Sequence, residues 1–368
     1  MHDKKSRPLA FLVAASVLLV PLALDAAWTV GKIAQDATGA VLEGDLIAYR
    51  EADDIVLYRI STGAYLPLTQ DGSAARDEAL GMDERWLWFS SAGGDGSVRL
   101  RLYDRSNGSI RDLLAAEDFI SWSGAADGVA LLEIDEDWWL CGADGQQPAT
   151  QSGSAIYKYQ AMRSGNFLIW TGQWRDVSDY RWVFRSISSP PAFMPIASGN
   201  RHHGSLRGDG DYAAWVAYPE PPATLQEIWL YRVSTLELTR VGTSQETCRA
   251  DILDVKYPWL IWVKKEGAWW QLMQYNVDTG GSAVLMSSSL RMLEPVLAEG
   301  RILYTTHNCP DAACEELNVY DLSTRTRRRL TTSGYTHRLQ TVSTEANRIV
   351  WSDSSWFAGS DVFMAVGP

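Results

Sequence analysis

The chain has 368 residues, of which 46% are hydrophobic and 21% charged, and a formal charge of −12. That balance excludes a disordered chain. An acid excess without a Lys/Arg-rich block argues against nucleic acid or anionic lipid as a partner.

The first residues read as an export signal. Lys4, Lys5 and Arg7 form a positive start, Leu9 to Leu24 is apolar with Pro21 near its end, and Ala26 and Ala27 supply small residues for cleavage. The apolar run is short for a membrane span. Cleavage after Ala26 is expected, leaving 27–368 as a single secreted or periplasmic domain. In an oxidising compartment Cys309 and Cys314, in NCPDAAC, are expected to close a short loop by a disulfide. Cys141 and Cys248 lie far apart in sequence, and their pairing is open.

From Trp28 onward one pattern recurs: a short apolar run, often ending in an aromatic, after a Gly, Asp or Asn turn. The copies begin at Asp45 (DLIAY), Arg85 (RWLWF), Gly128 (GVALL), Asn166 (NFLIW), Asp211 (DYAAW), Pro258 (PWLIW), Arg301 (RILYT) and Arg348 (RIVWS). Their starts are 40, 43, 38, 45, 47, 43 and 47 residues apart. A second strand-like run follows most copies, as in DIVLYRISTG, VRLRLYDRSNG, EIWLYRVST and LNVYDLST, and a third closes the unit, as in YLPLT. Four short strands per unit of this length predict an all-β, eight-bladed β-propeller, with seven blades as the alternative count. The last unit stops after DVFMAV and lacks its outer strand, so WTVGKIAQ (Trp28–Gln35) is expected to supply it and close the ring.

The repeat accounts for many of the 17 tryptophans. Trp86, Trp88, Trp170, Trp215, Trp262 and Trp351 fall on the recurring run and are read as fillers between blades, their indole N–H reaching a backbone partner.

RIVW followed by LNVYDLSTRTRRRLT, and IVLYRISTGAYLPLT, resemble the repeats of TolB-like, WD40-like β-propeller proteins of bacteria. The resemblance spans nearly all of the mature chain, although the third and fourth units match poorly in their outer strands. The Ser-Pro-Asp-Gly turn frequent in that family is replaced by Gly-Asp, Glu-Gly or Asp-Gly. The resemblance implies an exported protein that binds other macromolecules, and it brings no catalytic residues.

Motifs for chemistry are few. G-x-S-x-G, H-E-x-x-H and a P-loop do not occur. No catalytic residue, metal or cofactor is therefore assigned, and the chain is expected not to be an enzyme. His203 or His202 and His337 fall on inner strands. With a carboxylate such as Asp251 or Asp254 they are weak candidates for a channel metal, though hydrogen-bonded histidines are the commoner case. The segments between second and third strands vary most. Trp174, Trp356 and Phe357 in them are expected to stand exposed and to bind a protein or peptide partner. The alternative is a carbohydrate-binding or carbohydrate-cleaving propeller with a channel site.

Overall fold

A computed structural model describes residues 28–367 apart from 71–74, 117–120, 127–128, 135–136, 151–155, 165–166, 175–181, 189–190, 198–201, 219–224, 246–251, 308–314, 332–336, 346 and 356–358. The described residues form antiparallel four-stranded sheets, eight in number, and no helix. Seven sheets use four strands consecutive in the chain: 37–67, 75–116, 121–148, 156–197, 202–244, 253–288 and 291–329. The last sheet joins His337–Glu345, Arg348–Ser355 and Gly359–Val366 to Thr29–Ala34 from the other end of the chain, with Thr29 opposite Val366. No helix among the described residues is long and apolar enough to cross a membrane.

The sequence pattern follows from how these sheets pack. A small twisted sheet has two faces to bury, and each sheet here lies between two others. An apolar cluster sits at every junction of successive sheets, that of the last with the first included. A strand buried on both faces reads as a continuous apolar run rather than an alternating one. That is why Leu46–Glu51, Trp86–Gly93, Tyr212–Tyr218 and Arg301–His307 each carry four or more consecutive buried residues. These runs are the second strands, as the repeat requires. The first strands of most successive sheets touch one another, and Ala37–Glu43 of the first sheet packs against the last. The first strands therefore line the middle of the assembly and the fourth strands its rim.

Large aromatics fill the junctions. Trp88, Trp170, Trp215, Trp262 and Trp351 are almost fully buried. The expected backbone partner for the indole N–H is not found for Trp215, Trp262 and Trp351, whose Nε1 atoms have no hydrogen bond among the described residues. Their volume and apolar area outweigh the cost of the orphaned donor.

The sheets have two unlike ends. At one end first strands turn into second, and third into fourth; this is the turn face. Here an acid–base pair recurs with its members exchanged. In the fifth sheet Asp211 precedes the second strand, and its carboxylate accepts bonds from Ser234 N (2.7 Å), the Ser234 hydroxyl and Arg232 Nε (3.1 Å). In the first sheet Asp45 binds the Ser61 amide (2.9 Å) and hydroxyl in the same way. In the second and seventh sheets arginine stands first. Arg85 meets Asp104 at 3.0 Å and Arg301 meets Asp321 at 3.7 Å, and those aspartates accept from Ser106 N (2.9 Å) and Ser323 N (3.0 Å). Either order satisfies the same turn amides. At the other end, the loop face, second strands pass to third and each sheet to the next.

Candidate functional site

The loop face is where the sequence placed binding residues. Trp174 is the last residue of strand Phe167–Trp174, opposite Ile156, rather than part of a free loop. It is half-buried against the cluster that holds Leu131, Trp138 and Trp170. Trp356 and Phe357 lie outside the described residues, as do Cys309, Cys314, Cys248 and Asp251. Cys141 is a free thiol, and burial pushes its pKa up to about 11. His203, on the inner strand of the fifth sheet, is only 3% exposed and meets Trp215 edge-on at 6.5 Å. His337 opens the inner strand of the last sheet. No group of three or more metal-ligating side chains occurs among the described residues.

What the structure does bring together is an arc over the fifth, sixth and seventh sheets. Glu266, Gly267, Ala268 and Trp269 make a tight hairpin between the second and third strands of the sixth sheet. Gly267 has φ +60, a conformation glycine adopts without a Cβ clash. Its N–H donates to Gln245 Oε1 at 2.9 Å, while Gln245 N donates to Lys265 O at 3.0 Å. This pins the hairpin to the preceding sheet. Trp269 at its tip is 56% exposed, and Leu225, which precedes the third strand of the fifth sheet, is 43% exposed. Beside Leu225, Gln226 is 2% exposed, and neither end of its amide has a hydrogen bond among the described residues. A buried amide without a partner is rare, and it lowers the cost of admitting a polar ligand group.

The next residue in the chain, Trp270, points inward and is 6% exposed. Lys265 Nζ lies 5.3 Å and Arg291 Cζ 5.9 Å from its ring centroid, a cation on an indole from each of two sheets. Arg291 stands opposite His307, and His307 opposite Glu315, in register across the seventh sheet. His307 Nε2 is 3.6 Å from Glu315 Oε1. Burial, and then the charge of Arg291, hold the His307 pKa below its ordinary value, so the ring is neutral at pH 7.

The middle of the assembly holds a perturbed acid, Asp254. Asp254 lies on the inner strand of the sixth sheet and accepts from Leu297 N (2.7 Å) on the neighbouring inner strand and from Val255 N (2.9 Å). Burial outweighs these bonds and pushes its pKa up to about 6.

Sequence reasoning missed Trp269, yet a signal existed. Trp269 follows the Gly-containing turn Glu266-Gly267-Ala268 and so begins a strand at a connection, where neighbouring sheets cover a side chain least.

No protein-family model matches the chain, and no curated protein does. Solved structures do. An oligogalacturonate lyase in complex with manganese is similar with a TM-score of 0.60 and 13% identity, over 86% of this chain and 96% of that one. The WD40 domain of SCAP from fission yeast is similar at 0.55 and 9%, over 92% and 98%. A puromycin-hydrolyzing peptidase of Mycobacterium tuberculosis is similar at 0.57 and 13%, over 78% of this chain; the match spans about half (51%) of the peptidase. At these identities the likeness establishes the fold: an all-β assembly of the WD40-like propeller type. It also corrects the expectation that the chain is not an enzyme. A lyase matched over nearly its whole length removes the ground for excluding catalysis.

Proposed function

We propose that this chain is an exported, eight-bladed propeller that binds a protein or peptide partner through its loop face, with Leu225 and Trp269 at the contact. The observation that carries this reading is Trp269: an indole 56% exposed at the tip of a hairpin held rigid by the Gly267–Gln245 bond. A large apolar side chain presented on a fixed backbone loses little entropy on binding. The eight-blade count and closure of the ring are supported by the sheet order and by Thr29–Ala34 completing the last sheet. Cleavage after Ala26, a Cys309–Cys314 bridge, and contacts from Trp174, Trp356 and Phe357 belong to the same proposal and rest on the sequence.

The test is a cross-linked pull-down of the mature chain from its native envelope and medium, run beside a Leu225→Ser, Trp269→Ala double variant and read by mass spectrometry. The expected result is one protein enriched at near-equal amount by the wild type and reduced by about tenfold or more for the variant. Equal enrichment by both chains sinks the loop-face reading.

A second reading, carbohydrate binding or cleavage at the channel, is supported by the near-full-length likeness to an oligogalacturonate lyase and by Asp254, an inner-strand carboxyl that titrates near pH 6. Oligogalacturonate incubated with wild type and Asp254→Asn, with products followed by mass spectrometry across pH 5 to 8, tests it. Turnover by the wild type that the substitution abolishes supports the channel site; absence of turnover removes it.

A further inference from the structure

A groove of about 760 Å³ opens on the turn face between the second and third sheets. Both outer strands start at this face, at Ser109 and Gly145. The turn into the second of them, Gly142 to Gly145, reads Gly-Ala-Asp-Gly and puts little side-chain volume beside Trp86.

The walls of the groove are polar and held in place. Trp86 forms the floor, only 9% exposed. Arg85 Cζ lies 4.4 Å and Arg111 Cζ 5.6 Å from its ring centroid. Arg85 Nη2 donates to Asp104 at 3.0 Å, and Arg111 Nη2 donates to the Ala143 carbonyl at 2.7 Å. Arg85 and then Ser106 hold the Asp104 carboxyl down to about 2, so it is ionised at neutral pH. Asp144, Gln146 and Gln147 stand exposed along the opposite wall.

We propose that this groove is a binding site for a neutral oligosaccharide. Its two guanidinium groups are matched by the carboxylates of Asp104 and Asp144, so the site has no net charge with which to select an ion. What remains is a set of planar groups that offer donors and acceptors side by side: guanidinium, carboxylate and primary amide. A vicinal diol both donates and accepts and meets such a set from either direction. Stacking on Trp86 and the bonds to Asp104 and Ala143 have already frozen the two arginines, so little side-chain freedom is lost on binding. The indole face is occupied by guanidinium, so recognition falls to hydrogen bonds at the ring edges of the sugar rather than to aromatic stacking. The volume lies within the ~300–1,000 Å³ of small-molecule sites.

The inference rests on neither the loop face nor the channel, and its test separates them. The mature chain is titrated by calorimetry with maltotriose, cellotriose, chitotriose and galactotriose, with trigalacturonate as the charged comparison. The variants are Arg111→Ala, the pair Gln146→Ala with Gln147→Ala, Trp269→Ala and Asp254→Asn. The expected result is binding of at least one neutral trisaccharide, weakened by about tenfold or more in both groove variants and unchanged in Trp269→Ala and Asp254→Asn. Three results overturn it: no neutral trisaccharide binds; trigalacturonate alone binds; or binding survives both groove variants, including the case where it is lost only in Asp254→Asn.

Discussion

The two faces of the sheets solve different problems. On the turn face four sheets satisfy the same turn amide with a serine and an aspartate, and three of them add an arginine. The charges simply change places: Asp211 with Arg232 in the fifth sheet, Arg85 with Asp104 in the second. On the loop face a threonine recurs in three sheets, where Thr69, Thr150 and Thr331 accept from the Ile55, Trp138 and Leu317 N–H groups, but the connections themselves differ. The second-to-third connection is two residues in the first sheet and four in the second, and in the sixth it is a hairpin that presents an indole. Where a physical requirement repeats, the residues repeat; where none does, the chain is free to carry recognition.

Trp262 is 2% exposed in the cluster that joins the fifth, sixth and seventh sheets beneath both faces. Trp262→Ala is expected to cost about 3–5 kcal/mol in urea unfolding, through the cavity it leaves. A much smaller loss would mean that the junctions are loosely packed.

Asp254 is next. Its folded pKa of about 6 lies above the ordinary 3.8, so the unfolded chain gives up this proton first. Stability from this group is present below about pH 4 and is lost as pH rises through about 6, to the extent of about 2–3 kcal/mol. Asp254→Asn is expected to flatten that part of the stability-versus-pH curve. The variant should be at least as stable as the wild type at pH 7, although an amide oxygen accepts from only one of the Leu297 and Val255 N–H groups. An unchanged pH curve would show that Asp254 titrates normally.

The turn-face device predicts a rescue. Asp211→Ala removes the bonds to Ser234 and Arg232 and is expected to cost about 1 kcal/mol, most of it from the turn amide, since the ion pair is solvent-exposed. Exchanging the two charges, Asp211→Arg with Arg232→Asp, is expected to recover most of that loss, because the second and seventh sheets already use that order. A double variant no more stable than Asp211→Ala would show that the two orders are not interchangeable in one sheet.

The smallest effect sharpens the contrast. Trp269→Ala is expected to change thermal stability by less than about 0.5 kcal/mol while diminishing partner capture. A larger loss of stability would mean that Trp269 is held by the fold rather than presented by it.

The repeat, the strand order within each sheet, the second strands as buried runs and the terminal segment that completes the last sheet were all legible in the residues. These are local consequences of burial on both faces of a small sheet, and they show as continuous apolar runs at a period of about 43 residues. Exposure of individual side chains was not legible there. Trp174 and Trp269 look alike in sequence, each an aromatic near a second-to-third connection; one settles against Trp138 and Trp170, and the other stands in solvent. The difference lies in what the neighbouring sheet offers. The groove beside Trp86 depends in the same way on two successive sheets, since Arg85 and Arg111 come from the second and Gln146 from the third. Exposure and convergence are properties of pairs of sheets, and a single unit read alone does not contain them.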